Sequence, residues 1–282
     1  MSVAKQFMGP RQRSEWTQHV VILSLILIEL FPLYMMLQVS FKDNVGFIQN
    51  PWLPTHPSTW NWDNWVFGLK LIGPYLANTV FVATTGTVFT LGLAIGGAYF
   101  FARAKLPFSG VLWAGFLFLM LLPGVANIVP LFTLLKDMNL LNTLWALIIV
   151  GIASAQVFNI FVLRHFIEDL PKDLFEAAEM DGAGHLQQIW HIVLPMAAPI
   201  IGTLSILAFL AKWNDVLLPL IVLRDRELFT LGVGLFYLDG EYTKQWGEVM
   251  AAYFIASIPL IIVFLFTMRF FVKGLSAGAI KG

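Results

Sequence analysis

Long apolar runs separated by short polar segments dominate this chain. Six of the runs are about 20 residues or longer, the length that crosses a hydrocarbon core, and they lie at about 20–41, 76–101, 109–135, 143–163, 192–211 and 249–272. Because backbone groups in lipid must satisfy their own hydrogen bonds, each run is predicted to be a helix. The pattern therefore predicts an all-α membrane protein with six transmembrane helices in a single domain covering residues 1–282.

Residues 171–195 form a polar segment between the fourth and fifth apolar runs. Pro171 is typical of a helix start and predicts a short helix over about Leu174 to Met180, after which Gly182 permits a sharp turn. Helical character resumes over 185–191, so the segment is expected to fold as two short helices on the membrane surface. It can serve as a docking surface for another protein or as an ordinary amphipathic connection between spans, and composition alone does not separate the two.

The composition supports the membrane assignment and excludes several other classes of protein. Hydrophobic residues make up 58% of the chain, charged residues 12%, and the mean hydropathy is +0.77, more apolar surface than a soluble domain of this size buries. The net charge is zero without a basic stripe, so no nucleic-acid partner is predicted. With no cysteine and five scattered histidines, the sequence predicts neither disulfides nor a metal site.

The basic residues predict the orientation of the chain. With six spans both termini lie on one side, and that side carries ten of the 17 Lys and Arg residues. The excess is mild but places both termini and the 171–195 segment in the cytoplasm. Lys212, directly after the fifth run, is counted on the opposite side. The loop 42–75 is also on that side, and four tryptophans predict an interfacial aromatic belt there: Trp52, Trp60, Trp62 and Trp65.

A seven-position motif lies within the polar segment. It reads Glu-Ala-Ala, three residues, Gly, nine residues, Ile, one residue, Leu-Pro, and it is met by Glu176, Ala177, Ala178, Gly182, Ile192, Leu194 and Pro195. The motif resembles the EAA loop of permease subunits in binding-protein-dependent ABC importers. The rest of the chain is similar to the smaller, six-span permease of the maltose-type carbohydrate-uptake family, through the segments 31–42, 98–108, 141–148, 213–223 and 271–282.

This resemblance implies a set of partners. They are a second permease subunit, two ATPase subunits that hold ATP and Mg, an extracytoplasmic solute-binding protein and the lipid of a prokaryotic inner membrane. The EAA loop is then a coupling helix seated in a cleft of the ATPase, with Glu176 meeting a basic residue and Gly182 forming the turn. The implied coupling residues are Phe175, Glu176, Ala177, Ala178, Asp181 and Gly182. The tail 274–282 is expected to reach toward the ATPase or simply to be a flexible terminus.

The chain has no GxxxxGK[ST] phosphate loop, so it is not predicted to be an enzyme or to bind a cofactor. ATP hydrolysed on the partner subunits would drive alternating access and move a carbohydrate across the membrane. The alternative is an autonomous secondary carrier or channel for a small polar solute, which would leave the EAA motif without a role.

Polar residues inside the apolar runs are candidates for the solute path. Glu29 lies near the middle of the first run, where an ionised carboxylate costs a few kcal/mol unless it is paired or hydrated, and it is expected to face the bundle interior. The other candidates can bind solute hydroxyls or join helices to each other: Asn78, Asn127, Gln156, Asn159, Trp213 and Asn214. Two prolines and a glycine in the stretch 121–130 predict a kink or break in the third run. The apolar stretch 217–223 is too short to cross and is expected to re-enter the membrane or cap the extracytoplasmic mouth.

Overall fold

The computed structural model describes residues 10–104, 107–121, 127–241 and 245–279, and side chains for 16–104, 107–121, 127–237 and 245–268. All regular elements in these ranges are helical, which confirms the predicted all-α class. The helices are α1 (Pro10–Ser40), α2 (Asn44–Gln49), α3 (Asp63–Arg103), α4 (Ser109–Met120), α5 (Ile128–Asp137), α6 (Leu144–Glu168), α7 (Lys172–Met180), α8 (His185–Gln188), α9 (Leu194–Trp213), α10 (Leu217–Val222), α11 (Leu231–Glu241) and α12 (Trp246–Ala279). Short 3₁₀ turns cover Pro57–Thr59 and Arg226–Leu228, and a π-helical turn covers Ile189–Val193.

Five stretches of helix are long and apolar enough to cross a membrane. They are Trp16–Ser40, Asp63–Arg103, Leu144–Glu168, His185–Val222 and Trp246–Met268, and they establish a multi-pass membrane protein. They correspond to five of the six predicted spans, and a sixth crossing stays a prediction.

The predicted third span contains two shorter helices. The 12-residue α4 ends at Met120 and the 10-residue α5 begins at Ile128, so the interruption predicted at 121–130 lies at the ends of these helices; residues 122–126 lie outside the described residues. Pro130 is the third residue of α5, where a backbone N–H would have no partner within the helix, so the proline is tolerated there.

The chain divides into two compact units, and the first comprises residues 1–71 and 238–257. In this unit the ring of Phe41, just after α1, lies 4.3 Å from that of Trp60 and 5.4 Å from that of Trp65 between centroids, and Trp62 packs edge-on at 5.0 Å. Three of the four tryptophans predicted to form an interfacial belt therefore pack on one phenylalanine.

A buried lysine fixes the loop that follows α1. Lys42 is 2% exposed, and its ammonium donates hydrogen bonds to the carbonyl of Asn50 and, at 2.7 Å, to that of Leu53. Burial lowers the pKa of Lys42 below its ordinary value. Asn64 Nδ2 donates to the carbonyls of Ser40 and Lys42 at 2.9 and 2.8 Å, which ties the start of α3 to the end of α1.

The second unit comprises residues 72–237 and 258–282. Its main core lies between α3, α6, α7 and α9, where small residues allow the helices to approach closely. Its fully buried members include Ala94, Ala98, Leu163, Ile167, Val193 and Ala197. A second core joins the other halves of α3 and α6 to α10 and α11 through Val82, Leu147, Ile148, Val222 and Val233.

The fifth span begins earlier than the sequence predicts. The helical segment expected at 185–191 is not a separate short helix, because α8, the π-helical turn and α9 form one stretch of helix from His185. Pro195 does not break it. The Leu194 N–H donates to the carbonyl of Ile189, five residues earlier, and this wider pattern precedes the proline, which has no N–H to donate.

Candidate coupling surface and intramembrane polar residues

Phe175 anchors α7 to the chain's own core. Its side chain is 4% exposed, and the guanidinium carbon of Arg103 lies 3.7 Å from the ring centroid, a cation–π contact. Arg103 Nη2 also donates to the carbonyls of Ile167 and Leu170 at 3.3 and 3.0 Å. One arginine thereby joins the ends of α3 and α6 to α7.

Tyr99 anchors α8 in the same way. It is 1% exposed, and its hydroxyl donates to Gln188 Oε1 at 2.6 Å and lies 2.9 Å from His185 Nδ1. Since the single hydroxyl proton goes to Gln188, the histidine donates from Nδ1. Gln188, 2% exposed, donates in turn to the Ala183 carbonyl at 3.4 Å, so both helices of the segment are attached to α3.

Gly182 forms the turn between α7 and α8, as the sequence predicts. Its φ is +79°, a left-handed conformation that glycine adopts without a steric penalty. The Gly182 N–H donates to the Glu179 carbonyl at 3.0 Å, and the Ala183 N–H donates to the Ala178 carbonyl at 2.8 Å. These two bonds are the pair that defines a Schellman motif, which ends a helix sharply.

The opposite face of the segment is not covered by the rest of the chain. Glu176 and Ala177 on α7 are exposed, and Ala178, Asp181 and Gly182 line a concavity of about 310 Å³. Large apolar side chains of the same segment are also exposed, at 89%, 72% and 67% for Met180, Leu186 and Trp190. An exposed apolar patch beside carboxylates has the composition of a protein-docking surface. Five of the six predicted coupling residues face outward or line the concavity, whereas Phe175 faces inward.

The structure does not bring the predicted solute-path residues together. Glu29 is exposed on α1, where every side chain from 16 to 32 is exposed. Asn127 is exposed at the start of α5 and Asn214 is exposed after α9. Trp213 is 6% exposed and stacks on Phe209 at 5.5 Å between centroids.

The amides among these residues make bonds within the chain. Asn78 Nδ2 donates to the carbonyls of Glu227 and Phe229 at 2.7 and 3.0 Å. Asn159 donates to the carbonyl of Ala155 in its own helix at 2.7 Å. Gln156 Nε2 donates to the Thr90 carbonyl at 3.1 Å, while its buried Oε1 has no partner among the described residues.

Lys212 lies within a helix and not in the loop where the sequence analysis counts it. It lies in the last turn of α9, within the apolar stretch His185–Val222. Its ammonium reaches Thr90 Oγ1 on α3 at 3.2 Å, and it lines a cavity of about 120 Å³ together with Asp215 and Thr230. A lysine at the edge of an apolar run ordinarily extends to water, so no local signal distinguishes this one.

Comparison with known proteins identifies the family of this chain. The family model described as "Binding-protein-dependent transport system inner membrane component" matches residues 89–277. The trehalose/maltose transport system permease protein MalG of Thermococcus litoralis is 32% identical over 257 residues, covering 90% of this chain and 92% of that protein. The diacetylchitobiose uptake system permease protein DasC of Streptomyces coelicolor is 30% identical over 254 residues, covering 89% and 92%.

A solved structure agrees with these relatives. A chain of a bacterial ABC transporter involved in the import of the acidic polysaccharide alginate superposes with a TM-score of 0.81 at 25% identity, covering 94% of this chain and 99% of that one. The resemblance stated from the EAA motif is thereby confirmed, and this chain belongs to the family of inner membrane components of binding-protein-dependent ABC transport systems.

Proposed function

We propose that this chain is the permease subunit of an ABC importer for a carbohydrate, and that residues 171–195 couple it to ATP hydrolysis on a partner. The relatives named for trehalose and maltose and for diacetylchitobiose support the carbohydrate class. In this proposal residues 1–282 act as one permease domain with six spans, the third built from the region of α4 and α5. Both termini and the 171–195 segment face the cytoplasm of a prokaryote.

The proposed assembly contains a second permease subunit, two ATPase subunits and an extracytoplasmic binding protein. ATP and Mg are held on the ATPase subunits. This chain performs no chemistry, because its part is to change which side of the membrane the solute path faces.

The observation that carries the coupling proposal is the two-sided character of α7. One side is attached to the chain by Phe175 on Arg103, and the adjoining α8 is attached by Tyr99 on Gln188. The other side presents Glu176, Ala177 and the concavity at Asp181. A displacement imposed on the outer side is therefore transmitted to α3, α6 and α9 through contacts that are already formed. Phe175 acts here as the anchor, and the exposed residues make the contact with the ATPase.

Site-directed cross-linking tests this proposal directly, since the chain has no cysteine. Ala177→Cys in the assembled transporter should form a cross-link to the ATPase subunit and should stop ATP-driven uptake once cross-linked. Ser58→Cys, on the 3₁₀ turn of the loop 42–75, is the matched control and should form none.

Proteoliposomes carrying the whole complex should accumulate radiolabelled maltose, trehalose or diacetylchitobiose only with ATP inside. Uptake by this chain alone would establish the carrier alternative instead. Failure of the Ala177→Cys variant to cross-link in an active complex would reject the coupling role of α7.

A further inference from the structure

We propose that Lys212 forms a solute-binding subsite inside the helical bundle, which takes one hydroxyl or hydroxymethyl group of the transported carbohydrate. The inference rests on the proposed function for its ligand, and on a cavity between α3, α6 and α9 for its geometry. The residues that form the subsite are Lys212, Asp215, Thr230 and Ser154.

The helices around Lys212 leave room for its side chain. A Cβ atom at Gly86 on α3 would lie 2.6 Å from Lys212 Cε, and a Cβ at Gly151 on α6 would lie 3.3 Å from the same atom. Two neighbouring helices thus both carry glycine where the lysine stem passes. The stem fills that space and directs the ammonium toward α3 and the cavity.

The ammonium retains capacity to bind a ligand. It donates to Thr90 Oγ1 at 3.2 Å and to the Ala208 carbonyl at 3.5 Å, and both acceptors are neutral. An ammonium carries three donors, and the longer of these two bonds is at the limit of hydrogen-bond geometry. A further acceptor would lower the free energy of the charge, because a buried ammonium is costly to leave partly unsatisfied.

A buried hydroxyl in the same cavity also lacks a partner. Thr230 is 4% exposed, and its Oγ1 has no hydrogen-bond partner in the part of the chain that the structure describes. An unsatisfied buried hydroxyl costs about 1–3 kcal/mol. Thr230 lines the cavity, and replacing its hydroxyl with a methyl group should not lower the stability of the chain.

The lining of the cavity favours a hydroxyl over an anion. Lys212 donates, Asp215 accepts, and the hydroxyls of Ser154 and Thr230 can do either, which matches a ligand group that both donates and accepts. The carboxyl group of Asp215 in the same lining opposes the attraction of an anion to Lys212. The volume of about 120 Å³ is enough for a hydroxyl or hydroxymethyl group. Ser154 is exposed whereas Thr230 is buried, so the cavity extends inward from the chain's surface.

The test uses the complete transporter in proteoliposomes, with whichever of maltose, trehalose or diacetylchitobiose the wild type accumulates. Lys212→Met keeps an unbranched side chain between the two glycines and removes the ammonium, and Thr230→Val keeps the shape and removes the hydroxyl. Both should lower the maximal uptake rate about tenfold, while ATP hydrolysis and the affinity of the binding protein stay unchanged. Lys136→Met, which alters an exposed lysine on α5, is the control and should transport normally.

Stability separates a solute contact from a packing role. Thr230→Val should unfold at the same temperature as wild type or higher, because it removes an unsatisfied group, and yet transport more slowly. Uptake within twofold of wild type in both variants would overturn the subsite, as would slower uptake accompanied in both by a matching loss of stability.

A second measurement reports on access to the cavity and not on the rate of transport. Ser154→Cys introduces a single thiol into a chain that has no cysteine, and a water-soluble methanethiosulfonate should modify it in the assembled transporter, more slowly when a transported sugar is present. A thiol at this position that stays unmodified in every state of the cycle would overturn the subsite even if transport succeeds. Loss of all sugar uptake by the wild type, with the Ser154→Cys thiol still reactive, would instead count against the carbohydrate assignment.

Discussion

Gly182 illustrates how one backbone angle determines the geometry of the coupling segment. Its φ of +79° lies in a region that costs a residue with a Cβ about 1–2 kcal/mol, whereas Gly184 has a φ of −74° and open space around the position of a Cβ. The two glycines are two positions apart in the sequence, but only position 182 requires a residue without a Cβ. This difference makes them a matched pair for mutation.

We expect Gly182→Ala to reduce ATP-driven uptake several-fold, because the alanine would strain the turn and change the angle between α7 and α8. Gly184→Ala should transport as wild type does. Uptake by the reconstituted complex measures both, and membrane insertion should be the same for the two variants. Equal uptake in the two would show that the left-handed turn has no influence on coupling.

Removing a single hydroxyl group, that of Tyr99, tests the attachment of α8. Tyr99→Phe leaves Gln188 and His185 without the hydroxyl that they share, and we expect a loss of about 1–3 kcal/mol of stability. In a thermal unfolding experiment on the detergent-purified protein the midpoint should fall by a few degrees. Tyr237→Phe, at an exposed tyrosine, should leave the midpoint unchanged. An unchanged midpoint for the Tyr99 variant would show that water replaces the hydrogen bonds of the lost hydroxyl.

At the scale of elements, the attachment of the 171–195 segment depends on contacts between distant parts of the sequence, which no local pattern predicts. The helix start at Pro171, the turn at Gly182 and the outward face of α7 all follow from neighbouring residues, so the sequence predicts them. Tyr99 and Gln188 are 89 positions apart, and Arg103 and Leu170 are 67 apart. Nothing in either segment shows that it meets the other, because such pairs are determined by how the helices pack.

The same limit explains where the structure differs from the sequence-based expectation. Phe175 lies inside the EAA region, which predicts a docking role, but helical spacing puts it on the face toward Arg103. The sequence places Lys212 in a loop because the glycines that accommodate it, Gly86 and Gly151, are on two other helices. The π-helical turn at Ile189–Val193 has no recognisable sequence signal apart from the proline that follows it.

Phe175→Ala should uncouple the transporter. Removing a buried phenylalanine costs about 3–5 kcal/mol. Because Phe175 is the buried residue of α7, we expect the helix to detach from α3 and α6. We expect ATP hydrolysis to persist with uptake reduced at least tenfold. Leu174→Ala, its partly exposed neighbour, should reduce uptake much less, and an equal effect of the two would contradict the anchoring role.

At the scale of the whole molecule, the charge on the exposed side of α7 should determine whether ATP hydrolysis on the ATPase subunits is coupled to uptake through this chain. Glu176→Lys reverses that charge without altering a buried contact, and we expect insertion into the membrane to be normal while uptake is abolished. Glu227→Lys makes the same reversal at an exposed position on the 3₁₀ turn before α11 and should be tolerated. Co-purification with the ATPase measures assembly, and wild-type uptake by Glu176→Lys would refute the docking function.

The π-helical turn of Ile189–Val193 has a consequence for the phase of the fifth span. A turn with bonds between residues five apart contains one residue more than an α-helical turn, and each residue rotates a helix by about 100°. Deleting a single residue from 189–193 would therefore restore ordinary α-helix and turn α8 by about that angle around the axis of α9. Gln188 would then point away from Tyr99, so the extra residue sets the rotational phase that lets the fifth span and the coupling segment share one core.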